Sequence, residues 1–560
     1  MANKLELTWI GKEDEVKLEP RLLVEDSNKS NCINDPNTEN MIIHGDNLLA
    51  LKALEKKYAG QVKCIYIDPP YNTGSAFEHY DDNLEHSIWL TLMKARIEIL
   101  YKLLANDGWM FVQIDDNELA YLTVIMDEIF GRNNRVNIIS VNMNSLSGVK
   151  MTHVINGKRF PAQKEYILLY KKGIAFSPLK IEKINKKQWD KEYNLIIPEL
   201  SESQFDSFHE LSDSEVNEIL KGMRLMSLSS YAKDNQIDLT DEWKWNNSYR
   251  IFGSKSNKPL VQKYKTEEFE QIIYCYTNND GNKRFFRTDF NRDAKDPRIE
   301  LVQAKANSTV YVSDNWIDIS NDGGVAQEGG VSFAKSKKPE KILMRILKTA
   351  TNEGDLVLDS FLGSGTTAAV AQKLNRRYIG IEMGDHAYTH CKTRLDRVID
   401  GSDQGGISRI VNWQGGGAYK FYELAPSLIK KDLFDEHVIN PDYDADMLAS
   451  AVALHEGFLY QPDSNYFWKQ SIGSENSYLF VTTRHVNTQI IDSIQSTMQD
   501  NEFLIIACKS FSREIGNKYK NITIKKLPQM LLDRCEFNKE NYNLNIVNPP
   551  IYEYEEDENE

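Results

Sequence analysis

Apolar positions in residues 40–170 follow two alternating rhythms. Short, nearly unbroken apolar runs at Val62–Ile67 (VKCIYI), Trp109–Ile114 (WMFVQI) and Tyr166–Tyr170 (YILLY) predict strands buried on both faces. Between them Leu84, Ile88, Leu92, Ala95, Ile99 and Leu103 recur at helical spacing. That spacing predicts a helix over Asn83–Leu104, ended by Asn106–Gly108, and Asn117–Phe130 predicts another, closed by Gly131. The texture returns after residue 330, with helix Glu340–Thr349, strand Leu356–Asp359, the turn FLGSG, helix Thr366–Leu374 and strand Tyr378–Glu382 (YIGIE). Strands alternating with helices in this way predict an α/β fold, doubly wound around a mostly parallel, Rossmann-like sheet.

The rhythm breaks twice. Residues 173–329 are polar, aromatic-rich and irregular, and read as an inserted domain. Beyond about Asp400, strand-like Tyr478–Thr482 and Phe503–Cys508 flank a helical Thr488–Met498, which suggests a small C-terminal α/β domain. The expected division is an arm at 1–40, a core at 41–172 and 330–400, the insert at 173–329, a C-terminal domain at 401–550 for partner docking, and an acidic tail at 551–560. The tail has the composition of a disordered segment.

Composition narrows the chemistry. Six cysteines in 560 residues, with no CxxC pair, argue against a zinc site or a disulfide framework, so no metal is expected and a reducing compartment is. The first residues lack a leader's apolar segment and no run is long enough to span a bilayer, so a cytoplasmic protein with no membrane partner is expected. A net charge of −15 disfavours nucleic acid at first sight. Binding needs only a local basic face, however, and Arg250–Lys305 carries 12 Lys and Arg against 8 Asp and Glu.

Two turns carry candidate chemistry. In Asp359-Ser-Phe-Leu-Gly-Ser-Gly-Thr366, Gly363 and Gly365 let the backbone turn tightly between strand and helix, and a helix N-terminus offers unpaired N–H groups. Glu382 lies 19 residues after Gly363 at the next strand's end, where a dinucleotide-type site places an acid for ribose hydroxyls. Together they predict a nucleotide-like cofactor; no P-loop lysine is present to hold ATP. The second turn, Asp68-Pro69-Pro70-Tyr71, follows strand Val62–Ile67. Its prolines stiffen it and remove N–H donors. An exocyclic amine on an aromatic base is a poor nucleophile, because its lone pair is delocalised. The Asp68 carboxylate and Pro69 carbonyl can grip both amine hydrogens and stabilise the charge that develops, while the Tyr71 ring offers a stacking surface to a flipped base. Alone, DPPY reads equally as a rigid turn with a capping Asp.

Taken together the two turns resemble the amino-methyltransferases that modify exocyclic base amines, with DPPY as catalytic motif and Asp359–Gly365 as the FxGxG cofactor motif. The order, catalytic motif first, resembles the β class, in which the insert is a target recognition domain. Phe333 and Lys338-Pro339 are similar to that family's remaining cofactor-side motif, and His44–Asn47 and Trp109–Glu118 also look like family stretches. DPPYNTGSAFEHYDD and Val411–Gly417 resemble the modification subunits of type III restriction-modification systems. The resemblance implies an N6-adenine DNA methyltransferase using S-adenosyl-L-methionine. It assigns Asp68, Pro69, Pro70 and Tyr71 to catalysis and Asp359, Phe361, Gly363, Ser364, Gly365, Thr366, Glu382, Phe333, Lys338 and Pro339 to the cofactor. It further implies double-stranded DNA as substrate, a homodimer, and a separate helicase-nuclease restriction subunit.

In the insert, Trp243, Trp245, Arg250, Lys283, Arg284 and Arg287 interleave basic and aromatic side chains as a DNA-contacting surface would. An edge strand packing Phe285 or Phe286 inward would read the same way. Two further alternatives stand beside adenine methylation: N4-cytosine methylation by the same grip, and a DNA-recognition or assembly subunit without turnover.

Overall fold

The continuous apolar runs become the centre of one sheet. The computed structural model describes residues 6–13, 17–72, 86–143, 160, 163–173, 177–186, 188–264, 266–319, 325–333, 337–515, 519–532, 534–535 and 537. The run Thr73–Asp82, the expected helix start at Asn83 and the acidic tail lie outside them. Ten strands follow the order Leu23–Glu25, Lys420–Leu424, Met41–His44, Arg377–Glu382, Leu356–Asp359, Val62–Ile67, Leu104–Ile114, Lys164–Lys171, Arg135–Asn142 and Asn315–Trp316. From Lys420–Leu424 to Leu104–Ile114 all neighbours are parallel. Lys164–Lys171 runs antiparallel to both its partners.

The chain winds this sheet in two directions. Val62–Ile67 leads through helix His86–Leu103 to Leu104–Ile114 on one side, whereas Leu356–Asp359 leads through helix Thr366–Lys373 to Arg377–Glu382 on the other. Right-handed crossovers in opposite directions put their helices on opposite faces. Accordingly Ile65, Ile67, Met110, Val112, Leu168 and Leu358 form one core with helices Asn47–Tyr58, His86–Leu103 and Leu119–Phe130. Cys64, Tyr66, Phe111, Val357 and Tyr378, pointing the other way, are buried too. The winding reverses between Val62–Ile67 and Leu356–Asp359, and a crevice for ligands opens beyond the carboxyl ends of strands at such a point.

Several elements differ from the expectation. The expected helix end at Asn106–Gly108 is already strand, since Leu104–Ile114 begins directly after Leu103. The register steps from Val62↔Leu104 to Cys64↔Trp109, so extra residues bulge there. Strands Met41–His44, Arg135–Asn142 and Lys420–Leu424 went unread because they are short or polar-interrupted and become strands only through their neighbours. Gly415 is packed: a Cβ there would lie 2.9 Å from Gly401 N and from Ile399 O, so only hydrogen fits.

Residues Ile181–Ser313 form a second compact unit. Its six-stranded sheet runs in the order Ile273–Thr277, Lys283–Arg287, Glu300–Gln303, Ile251–Lys255, Tyr193–Ile196 and Met226–Ser227. Lys283–Arg287 is paired on both sides rather than at an edge. Phe285 packs into one core with Phe252, Leu301 and Phe208, and Phe286 into another with Leu260, Phe290 and Ile299, so adjacent side chains enter opposite faces. A separate five-stranded sheet, Leu459–Tyr460, Ser471–Ile472, Ser477–Val486, Phe503–Phe511 and Ile522–Lys526, belongs to the first unit's C-terminal part. The N-terminal segment reaches that part through Glu19, which accepts from Leu428 N and Ser427 Oγ at 2.7 Å each. Among the described residues no helix is long and apolar enough to cross a membrane, and no His, Cys, Asp and Glu cluster could hold a metal.

Phe285→Ala is expected to destabilise the second unit by about 3–5 kcal/mol, the usual cost of emptying an aromatic core position. Urea unfolding measures this; a loss under 1 kcal/mol would mean that Phe285 does not anchor that core.

Candidate active site

The two turns identified from sequence leave neighbouring strands. Val357 pairs with Cys64 and Leu358 with Ile65, so Asp68-Pro69-Pro70-Tyr71 and Ser360–Gly365 emerge side by side at the same end of the sheet. Their carboxylates feel each other: Asp68 is among the charges that raise Asp359. The DPPY turn is pinned from behind by Trp89, fully buried on helix His86–Leu103, whose Nε1 donates to the Pro70 carbonyl at 2.9 Å. Asn72 follows in the left-handed region at φ 56° and donates to Glu118 Oε1 at 2.9 Å.

Asp68 sits in a closed array of charges. The Tyr71 hydroxyl lies 2.8 Å from both Asp68 Oδ1 and Glu165 Oε2, so the two carboxylates share its single proton. The Lys338 ammonium is 3.3 Å from Asp68 Oδ2 and 3.1 Å from Glu165 Oε2, and 4.9 Å from the centre of the Tyr71 ring. Gln113 Nε2 donates to Glu165 Oε2 at 2.5 Å, and Tyr66 holds Gln113 in turn at 2.7 Å. Burial pushes the Asp68 carboxyl up to about 6 against the pull of Lys338, with Glu165 adding to the rise. Burial also pushes Glu165 up, but Lys338 and the hydrogen bonds from Gln113 and Tyr71 outweigh it, leaving that carboxyl below its ordinary value. Burial likewise opposes the charge on Lys338, yet the two carboxylates hold its ammonium above the usual lysine value. The two neighbouring carboxyls are thus driven apart, Asp68 upward and Glu165 downward.

The glycine turn is held by side chains on all sides. Asp359 accepts from Phe361 N at 2.9 Å and from the Thr367 hydroxyl, and burial raises it to about 7. Glu382 Oε2 accepts from Gly363 N at 2.7 Å, its other oxygen accepts from Gly384 N at 3.0 Å, and His386 lies 2.8 Å from the latter oxygen. The spaced acid is therefore buried against the turn. Gly365 has φ 81°, and a Cβ there would meet Cys391 Cα at 3.1 Å. A Cβ on Gly363 would meet nothing nearer than 4.0 Å, so a ligand can approach that backbone. Ser360 Oγ is buried at the turn with no hydrogen-bond partner among the described residues. Phe361 packs into the core, and Ser364 and Thr366 contact Arg394, whose NH1 donates to Thr366 Oγ1 at 2.7 Å. Arg394 pairs at 2.7 Å with Glu340, which Lys373 also meets at 2.8 Å, all fully buried behind the turn.

The cofactor-side residues thus divide. Phe333 stands 5.7 Å from the His386 ring, on the Glu382 side. Pro339 precedes helix Glu340–Ala350, and Lys338 beside it reaches the DPPY turn instead. In the second unit, Arg250 donates to Asn247 Oδ1 and Pro198 O and lies over the rings of Tyr231 and Trp243, which makes it an internal brace. Trp245 meets Trp189 edge-on at 4.6 Å. Lys283 is paired with Asp213 and Arg287 with Asp289, both at 2.6 Å. Arg284 alone of these four cations has no ion pair or hydrogen bond among the described residues. Sequence reasoning missed Glu165, Gln113 and Trp89. The polar Gln113 inside an apolar strand was the one local signal.

Comparison with known proteins agrees with this geometry. A family model described as DNA methylase, N6_N4_Mtase, matches residues 62–196 and 188–393, spanning both turns. The chain is 37% identical over 420 residues to the probable type III restriction-modification enzyme HindVI Mod subunit of Haemophilus influenzae, covering 69% of this chain and 54% of that one. It is 28% identical over 421 residues to the EcoPI Mod subunit of Escherichia phage P1 (67% and 62%), and 25% identical over 544 residues to the EcoP15I Mod subunit of Escherichia coli (81% and 78%). The chain thus spans between half and two thirds of the length of the first two relatives. A family model matched across both turns, together with these relatives, places the chain in the N6/N4 DNA methylase family.

Proposed function

We propose that the chain methylates the N6 amine of adenine in double-stranded DNA, using S-adenosyl-L-methionine, as the modification subunit of a type III restriction-modification system. The observation that carries this is the pairing of Val62–Ile67 with Leu356–Asp359, which puts the amine-gripping turn beside the glycine turn. The residues there fit the cofactor: on the turn an approachable Gly363 and a Ser360 hydroxyl with no hydrogen-bond partner among the described residues, and beside them the acid Glu382 at the end of the next strand. When bound, the cofactor supplies an electrophilic methyl group on a sulfonium.

The protein's part is orientation and charge. Asp68 and the Pro69 carbonyl accept the two amine hydrogens, so the nitrogen lone pair turns out of conjugation and faces the methyl group. Asp68 stabilises the cationic nitrogen and takes the proton that the product amine must lose. The Tyr71 ring flanks the base, while its hydroxyl, which bridges Asp68 and Glu165, holds the carboxylate in place. In the second unit Arg284, whose side chain has no ion pair or hydrogen bond among the described residues, is a cation available to a phosphate. The relatives, Mod subunits of type III restriction-modification enzymes by name, support a restriction subunit as partner; a homodimer belongs to the same proposal.

Four outcomes are expected. Asp68→Ala abolishes methyl transfer while DNA binding persists, measured with labelled donor and identification of the methylated base. In the wild type the rate falls about tenfold per pH unit below about 6, because protonation removes the acceptor; full activity at pH 5 would contradict this, as would methylcytosine as product the choice of base. Gly365→Ala weakens cofactor binding and costs about 1–2 kcal/mol of stability, since an L-residue resists φ 81°; calorimetry and thermal unfolding report both. Arg284→Ala weakens duplex binding several-fold and lowers the salt slope by about 1; an unchanged slope in fluorescence titrations would exclude a phosphate contact.

A further inference from the structure

Glu165 stands outside every motif above, yet three donors converge on one of its oxygens: Tyr71 at 2.8 Å, Gln113 at 2.5 Å and Lys338 at 3.1 Å. Two of these donors also reach Asp68, one on each carboxylate oxygen. The result is a ring in which acceptors and donors alternate: Asp68, Tyr71, Glu165, Lys338 and back to Asp68. We propose that Glu165 is a positioning residue for methyl transfer, a non-reacting anion that closes this ring and so fixes the direction and charge of Asp68 through Tyr71 and Lys338. The proposal rests on the reading of Asp68 as acceptor of the amine hydrogens.

The physical case is one of buried charge. A carboxylate at Asp68 faced only by an ammonium would be stabilised too well, making a weak acceptor for an amine proton. Faced only by another carboxylate, it would be protonated at neutral pH, as like charges in a shared site are. Lys338 between the two carboxylates leaves Asp68 ionised at pH 7 and still basic enough to take a proton. Glu165 draws part of the ammonium's field away from Asp68. Its Oε2 is occupied by Gln113, which Tyr66 holds, as well as by Tyr71 and Lys338. The other groups acting on the site are few. Asp359 and Asp68 repel each other, and Asp115, at the end of strand Leu104–Ile114, feels the charge of Glu165. Tyr66 and Tyr71 stay neutral because burial raises both phenols. The only cation touching Asp68 among the described residues is Lys338.

The two partners then have opposite electrostatic effects. Glu165→Gln leaves an amide oxygen for Tyr71 and Gln113 but removes the charge, so Lys338 pairs with Asp68 alone. Lys338→Gln leaves two facing carboxylates. Single-turnover methyl transfer to duplex DNA, with enzyme in excess and labelled S-adenosyl-L-methionine, is measured across pH for both variants and the wild type. The acid limb is expected to move down by roughly one unit in Glu165→Gln and up by roughly one unit in Lys338→Gln. Plateau rates should fall at least tenfold in each, while calorimetric cofactor affinity changes less than threefold. Glu165→Asp, which keeps the charge and shortens the reach, keeps the limb in place with a slower plateau, and serves should Glu165→Gln fold poorly. Limbs that stay put, or move in the same direction, would overturn the assignment of Glu165 while leaving Asp68 as acceptor. Absence of an acid limb in the wild type would instead remove the underlying role of Asp68, and this proposal with it.

Discussion

One strand pairing organises this protein. Val62–Ile67 and Leu356–Asp359 come from opposite sides of the second unit in sequence, yet they lie edge to edge, parallel and in register at the sheet's centre. Because the winding reverses between them, no crossover helix covers their carboxyl ends and the loops that follow are free to meet. The DPPY turn and the glycine turn are adjacent for that reason. Neither turn supplies the other's chemistry, and the sheet interior on which they stand is buried on both faces.

Around that junction, charge is handled in two buried systems of different character. Behind the glycine turn, Glu340 is matched by Lys373 and Arg394 and caps the backbone of Ile407 at 3.0 Å. Every member there has a fixed partner, and Arg394 passes that rigidity to Thr366. Breaking such a pair leaves an uncompensated charge in the interior, which costs about 3–5 kcal/mol, so the turn is firmly held. In front, the array at Asp68 joins two carboxylates to one ammonium and one phenol. An excess of negative charge in a buried place is what leaves one carboxyl able to accept a proton near neutrality.

The second unit shows how a basic and aromatic sequence pattern can serve packing. Its interleaved basic and aromatic residues mostly hold the fold: Arg250 braces aromatic rings, Lys283 and Arg287 are neutralised by Asp213 and Asp289, and Phe285 and Phe286 each enter a core. A cation already paired at 2.6 Å gives up that contact before it meets a phosphate. Arg284, which has no such contact, is therefore distinguished within a cluster that looks uniform in one dimension.

The sequence by itself determined the α/β class, most central strands and helices, and both turns, because apolar periodicity, glycine and proline act locally and leave a local trace. Asp68, Gly363, Gly365 and Glu382 were legible for the same reason. It did not determine that Lys338 reaches the DPPY turn, that Glu165 closes the ring, that Gly415 packs against Gly401, or that Lys283–Arg287 lies inside a sheet. Those depend on which segments meet across long separations, and a residue's charge state or pairing depends on neighbours that the chain brings together only by folding. Local backbone preference wrote the elements into the sequence; tertiary burial decided which of their polar groups do chemistry.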